Sequence, residues 1–63
     1  MIDTRKQILT EIELFLKRSG MSRTQFGYEA VGDPGFVKSI EKGREPRFHT
    51  RMLVQRFIME REL

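Results

Sequence analysis

The sequence predicts an all-α fold, a compact domain of four helices, and three observations carry that prediction. Apolar residues recur three and four apart, helix start and stop signals punctuate the chain, and almost nothing alternates with the two-residue period of a strand. The 63 residues form a single domain, 1–63. A chain of this size buries only about 60% of its unfolded surface, which suffices for one small core but not for a deep cleft between subdomains.

The first helix spans residues 3–19. Asp3 or Thr4 supplies its N-cap, and Ile8, Ile12, Phe15 and Leu16, with Leu9 at the margin, share one arc when successive residues turn by about 100°. Lys17, Arg18 and Gly20 form its stop signal. "SRTQ", residues 22–25, has the pattern of a capping box, in which Ser22 and Gln25 satisfy each other's backbone amides, so a second helix starts there. Phe26 and Ala30 are its buried pair, and "VGDP" at 31–34 ends it after about two turns.

Asp33 is a good N-cap and Pro34 suits the first helical position, so a third helix is expected at about 34–42. Val37 and Ile40 share its apolar face with Glu41 at the margin, while Gly35, Lys38, Ser39 and Lys42 occupy the opposite face. Gly43 and the basic turn "REPR" lead to a last helix, from Phe48 to about Glu60, with Leu53, Val54, Phe57 and Ile58 toward the core.

Composition narrows the function. No cysteine is present, which removes disulfides and thiolate metal sites and favours a reducing compartment, the cytoplasm. No apolar run approaches the ~18 residues of a membrane span, and charges interrupt the N-terminal pattern where a signal peptide is unbroken. The net charge of +3 and pI near 9.8 suit a polyanionic partner. A single histidine, His49, and no glycine-rich phosphate loop leave no acid, base and nucleophile set and no metal-ligand spacing; neither an enzyme nor a cofactor is expected.

Two short helices joined by a tight turn, the second with a polar free face, suit the major groove of DNA. From Met21 to Gly43 the run "MSRTQFGYEAVGDPGFVKSIEKG" resembles the helix-turn-helix of the lambda-repressor and Cro family (Xre-type). Phe26 and Gly27 stand at the family's Leu-Ala pair, Val37 and Ile40 at its apolar pair three apart, and "IEKG" at 40–43 at its closing "IExG". The sequence departs from that pattern in three places. Val31 stands where the family has its turn glycine, Pro34 and Gly35 replace polar readers, and Leu16 replaces an arginine that pairs with the glutamate of "IExG". Glu41 is then left to find Lys17 or Arg18, or water.

The resemblance implies a sequence-specific DNA-binding transcriptional regulator, nucleoid-associated in a prokaryote or phage setting, that acts by occupying its operator. Helix 34–42 is then the recognition helix. Lys38, Ser39 and Lys42 read bases, Gly35 permits close backbone approach, and Phe36 either touches a thymine methyl or packs in the core. Ser22, Arg23 and Thr24 lie near phosphates, and Arg44 and Arg47, with Arg51, form a phosphate clamp, or an ordinary solvated loop. Phe48, Met52, Met59 and Leu63 make a second apolar stripe on the last helix, which Leu14 extends. That stripe fits a homodimer or a partner-protein surface. The alternative function is therefore a small protein-interaction adaptor that keeps the scaffold and binds a larger protein through Met52 and Met59.

Overall fold

Among the described residues, nine apolar side chains on the helices lose nearly all contact with water, and every helix contributes to them. The computed structural model describes residues 4–62, the side chain of Thr4 excepted, so capping by Asp3 or Thr4 and the fourth stripe residue, Leu63, lie outside the described residues. It contains α1 (Thr4–Ser19), α2 (Arg23–Val31), α3 (Phe36–Glu41) and α4 (Phe48–Glu62), and no strand among the described residues. α1 gives Ile8, Ile12, Phe15 and Leu16 to the core, α2 gives Phe26, α3 gives Phe36, Val37 and Ile40, and α4 gives Val54. Leu9, Met21, Ala30, Val31, Phe57 and Ile58 pack around this set while half-exposed.

At its centre the rings of Phe15, Phe26 and Phe57 meet pairwise, with centroids 5.4–5.8 Å apart. Phe57 stands edge-on to the other two, at 70° and 87°, the arrangement the ring quadrupole favours. Each such pair adds about 0.5–1.5 kcal/mol beyond the area it buries. α2 packs on α3 and α4, and α1 packs on the same two, within an envelope of 30 × 22 × 21 Å.

The start of α2 is half of what the capping-box pattern predicts. Ser22 Oγ accepts the Gln25 amide at 3.1 Å, but the Gln25 side chain reaches forward to Glu29 at 2.7 Å, where a full box would turn it back to Ser22. The helix ends at Gly32, whose φ of 74° is left-handed and whose N–H donates to the Tyr28 carbonyl at 3.0 Å. The turn glycine is thus Gly32, one place after Val31.

α3 begins two residues later than expected. Asp33 does cap, but its carboxylate accepts the Gly35 amide at 2.9 Å, which closes a turn through Pro34. Gly35 sits at φ −93°, ψ 6°, and its carbonyl accepts the first helical bond, from Ser39 at 2.9 Å. Pro34 therefore stiffens the approach to the helix without belonging to it. In α4, Leu53 is half-buried and lines a surface groove, leaving Val54 as the one fully buried member of the expected quartet.

Gly27 fixes the distance between α2 and the turn. A Cβ built there would lie 2.4 Å from the Asp33 carbonyl oxygen and 3.2 Å from Phe36 Cβ, and the Asp33 amide already donates to the Gly27 carbonyl at 3.1 Å. Backbone cannot move aside as a flexible side chain would. Gly27→Ala should therefore destabilise the domain by about 1–3 kcal/mol despite alanine's higher helix propensity, measured by urea unfolding. Unchanged or increased stability would show that the turn yields.

Candidate nucleic-acid interface

Because α3 is only six residues long, the three side chains it buries leave few positions for its outer face. Lys38 and Lys42 are exposed there and Ser39 is half-buried between them. Phe36 is 4% exposed and belongs to the core, so its predicted contact with a thymine methyl is corrected: the first residue of the helix points inward. Gly35 is exposed, and a Cβ there would meet only Asp33 Oδ1, at 3.6 Å. Packing therefore does not require glycine at that position.

The chain beyond α3 is held close to it. Gly43 donates to the Ile40 carbonyl and Arg44 to the Ser39 carbonyl, each at 3.0 Å, and Arg5 of α1 donates Nη1 to the same Ile40 carbonyl at 3.0 Å. A cation on carbonyls at a helix C-terminus also complements its partial negative charge. Pro46 is buried, which pins the loop between exposed Arg44 and Arg47. Those two arginines, with Asp33, Glu45 and His49, line a groove of about 650 Å³ against Phe36, Ile40 and Leu53.

Ion pairing sorts the cations into two sets. Arg18–Glu62 (2.6 Å), Arg23–Glu41 (3.2 Å) and Arg61–Glu29 tie one helix to another, and Arg56–Glu60 (3.5 Å) lies within α4. Among the described residues Lys38, Lys42, Arg44 and Arg47 form no ion pair, and Glu45 is the one carboxylate in their loop. Among the described residues, most of the cations that form no such ion pair therefore lie on α3 and the loop that follows it, with Lys17 at the end of α1 and Arg51 on α4 apart from them.

Two expected roles change in this light, those of Glu41 and Arg51. Glu41 pairs with neither Lys17 nor Arg18; its partner is Arg23, brought alongside by the close packing of α2 on α3. Ser22 uses its hydroxyl to cap α2, while Arg23 and Thr24 stand exposed beside it. Arg51 does not join a clamp with Arg44 and Arg47. It turns toward α1, lining a small crevice with Gln7, Glu11 and Gln55, and its guanidinium lies 5.8 Å from the Phe48 ring centroid. Its Nε is buried with no hydrogen-bond partner. Sequence patterns did not mark the Arg5 cap, buried Pro46 or the closeness of Gly27, since each depends on contacts between distant residues.

Comparison with protein-family models, with curated proteins and with solved structures finds no match to this chain. Among the described residues no cluster of His, Asp or Glu is placed to hold a metal, and no helix is long and apolar enough to cross a membrane.

The Arg23–Glu41 pair is solvent-exposed, with side chains 54% and 35% accessible, so its worth is small. A double-mutant cycle with Arg23→Ala and Glu41→Ala should give a coupling of about 0.2–1 kcal/mol that shrinks on adding salt. A coupling of zero at low salt would remove the pair as a tie between α2 and α3.

Proposed function

We propose that the chain is a sequence-specific DNA-binding transcriptional regulator whose α2 and α3 act as a lambda-repressor-like helix-turn-helix. The observation that carries this reading is the segregation of charge: the arginines that tie helices together are neutralised, whereas Lys38, Lys42, Arg44 and Arg47 are not. A short helix that buries one face and offers cations on the other suits a groove lined by phosphates. The resemblance of residues 21–43 to the family pattern supports the same assignment.

Lys38, Ser39 and Lys42 face base edges, and Gly35 lets the backbone approach the groove wall. Arg44 and Arg47 hold phosphates beside them, and the first turn of α2, at Ser22, Arg23 and Thr24, approaches the flanking backbone. Arg23 must give up Glu41 to take a phosphate, so its net contribution is smaller than that of Arg44 or Arg47. Such a protein regulates by occupancy, in the cytoplasm and on the nucleoid. The adaptor reading also has a specific support, the exposure of Phe48, Met52 and Met59, and the same experiment separates the two.

Binding to genomic DNA fragments, followed by fluorescence anisotropy with competitor DNA at near-physiological salt, should reveal a preferred site. On that site Lys38→Ala should cost about 1–3 kcal/mol, and far less on random DNA. Arg44→Ala or Arg47→Ala should weaken binding to both alike and make the salt dependence shallower by about one unit. Equal binding to every fragment would replace the regulator with the adaptor.

A further inference from the structure

The groove of about 650 Å³ beside α3 has walls that the backbone itself holds in place. At one stretch the Asp33 amide donates to the Gly27 carbonyl and the Phe36 amide to the Asp33 carbonyl, each at 3.1 Å. At another the Arg44 amide donates to the Ser39 carbonyl and the Arg51 amide to the Arg47 carbonyl, each at 3.0 Å, with Pro46 buried between them. Buried Phe36 and Ile40 and half-buried Val31 and Leu53 supply an apolar lining. The volume lies within the range of small-molecule pockets, about 300–1,000 Å³, and walls already fixed spare a ligand the cost of ordering them.

Charges of both signs line the same groove, Arg44 and Arg47 with Asp33 and Glu45, and their formal sum is zero. They do not neutralise one another. Among the described residues Arg44, Glu45 and Arg47 take part in no ion pair and no side-chain hydrogen bond, and Asp33 engages only Oδ1, on the Gly35 amide at 2.9 Å. A simple carboxylic acid seated here would meet Asp33 and Glu45, and a simple amine would meet Arg44 and Arg47. An uncharged apolar molecule would desolvate all four and partner none of them. A ligand with one charge of each sign and an apolar group answers every part of the lining.

We infer that this groove binds a free α-amino acid with a large apolar side chain, of the leucine or phenylalanine kind. Its carboxylate accepts from the guanidiniums of Arg44 and Arg47, whose planar forks suit that group. Its ammonium donates to Glu45 and to the second oxygen of Asp33, and its side chain covers Phe36, Ile40 and Leu53. The site rests on none of the DNA contacts. One consequence does rest on that reading: Arg44 and Arg47 cannot hold this carboxylate and phosphates together, so amino acid and DNA weaken one another by the same factor.

Titrating the isotope-labelled chain with L-leucine or L-phenylalanine, followed by two-dimensional NMR, should shift amides within residues 31–36 and 44–53. The dissociation constant should fall below about 1 mM. Glycine lacks the side chain, N-acetyl-L-leucine the ammonium and L-leucinamide the carboxylate, and each should bind at least about 10-fold more weakly than L-leucine. Arg44→Gln with Arg47→Gln should weaken L-leucine by a similar factor yet leave L-leucinamide as before, a split that a damaged fold would not produce. No shift at about 10 mM L-leucine, or shifts confined to other residues, would overturn the site. N-acetyl-L-leucine binding as tightly as L-leucine would overturn the pairing with both signs of charge that defines the ligand. In a separate arm, saturating L-leucine should weaken DNA binding at least about 10-fold where L-leucinamide does not. Unchanged DNA affinity would overturn the exclusion, and a parent chain that binds no DNA would overturn the DNA reading while the amino-acid site stands.

Discussion

Phe15, Phe26 and Phe57 come from three different helices, and their rings touch within 6 Å of one another, so the position of each helix depends on the other two. A domain of this size has no second cluster to fall back on. α3 is seated on that arrangement through Phe36, Val37 and Ile40, and the close approach at Gly27 sets how deeply it sits. With six residues α3 is well below the length at which a helix is stable in water, so packing, and not propensity, holds it in shape. The positions of Lys38 and Lys42 therefore follow from aromatic packing on the other side of the helix.

Electrostatics divides the work differently. Among the described residues no polar or charged side chain is buried, so no ion pair bears the full cost of desolvation, and each exposed pair is worth little alone. Three of them nevertheless span helix pairs, α1 with α4, α2 with α3, and α2 with α4, and so neutralise Arg18, Arg23 and Arg61 where helices meet. Lys38, Lys42, Arg44 and Arg47, which form no such pair among the described residues, are left facing outward from α3 and its loop.

The core was legible in the sequence where a long helix repeats its pattern. The α1 set, Ile8, Ile12, Phe15 and Leu16, with Leu9 at its margin, follows from periodicity alone, as do Phe26, Val37, Ile40 and Val54. Legibility fell where one residue could serve two local structures. Asp33, Pro34 and Gly35 have the composition of a helix start and equally of a turn, and the bond from Gly35 to Asp33 decides for the turn. That two-residue shift leaves Phe36 as the helix's first residue, buried against the core, and removes it from the candidate site. Glu41 and Arg23 are 18 apart in sequence, and Arg5 and Ile40 are 35 apart, so no local pattern could pair them. In the candidate site, Lys38, Lys42, Arg44 and Arg47 were identified by exposure and spacing, whereas the pairing that sets them apart from the other cations needed the fold.

The brevity of α3 links occupancy to survival of the chain. Since the helix exists only while the core is intact, a ligand seated on it recognises the native state and has nothing equivalent to hold in the unfolded chain. Mass action then adds RT ln(1 + [L]/Kd) to the unfolding free energy, about 2.7 kcal/mol at a hundredfold excess over Kd. Small domains have only a few kcal/mol in total, so an occupied molecule and an idle one would differ several-fold or more in the time they spend open to proteases. Cellular abundance would then track the supply of whatever α3 binds.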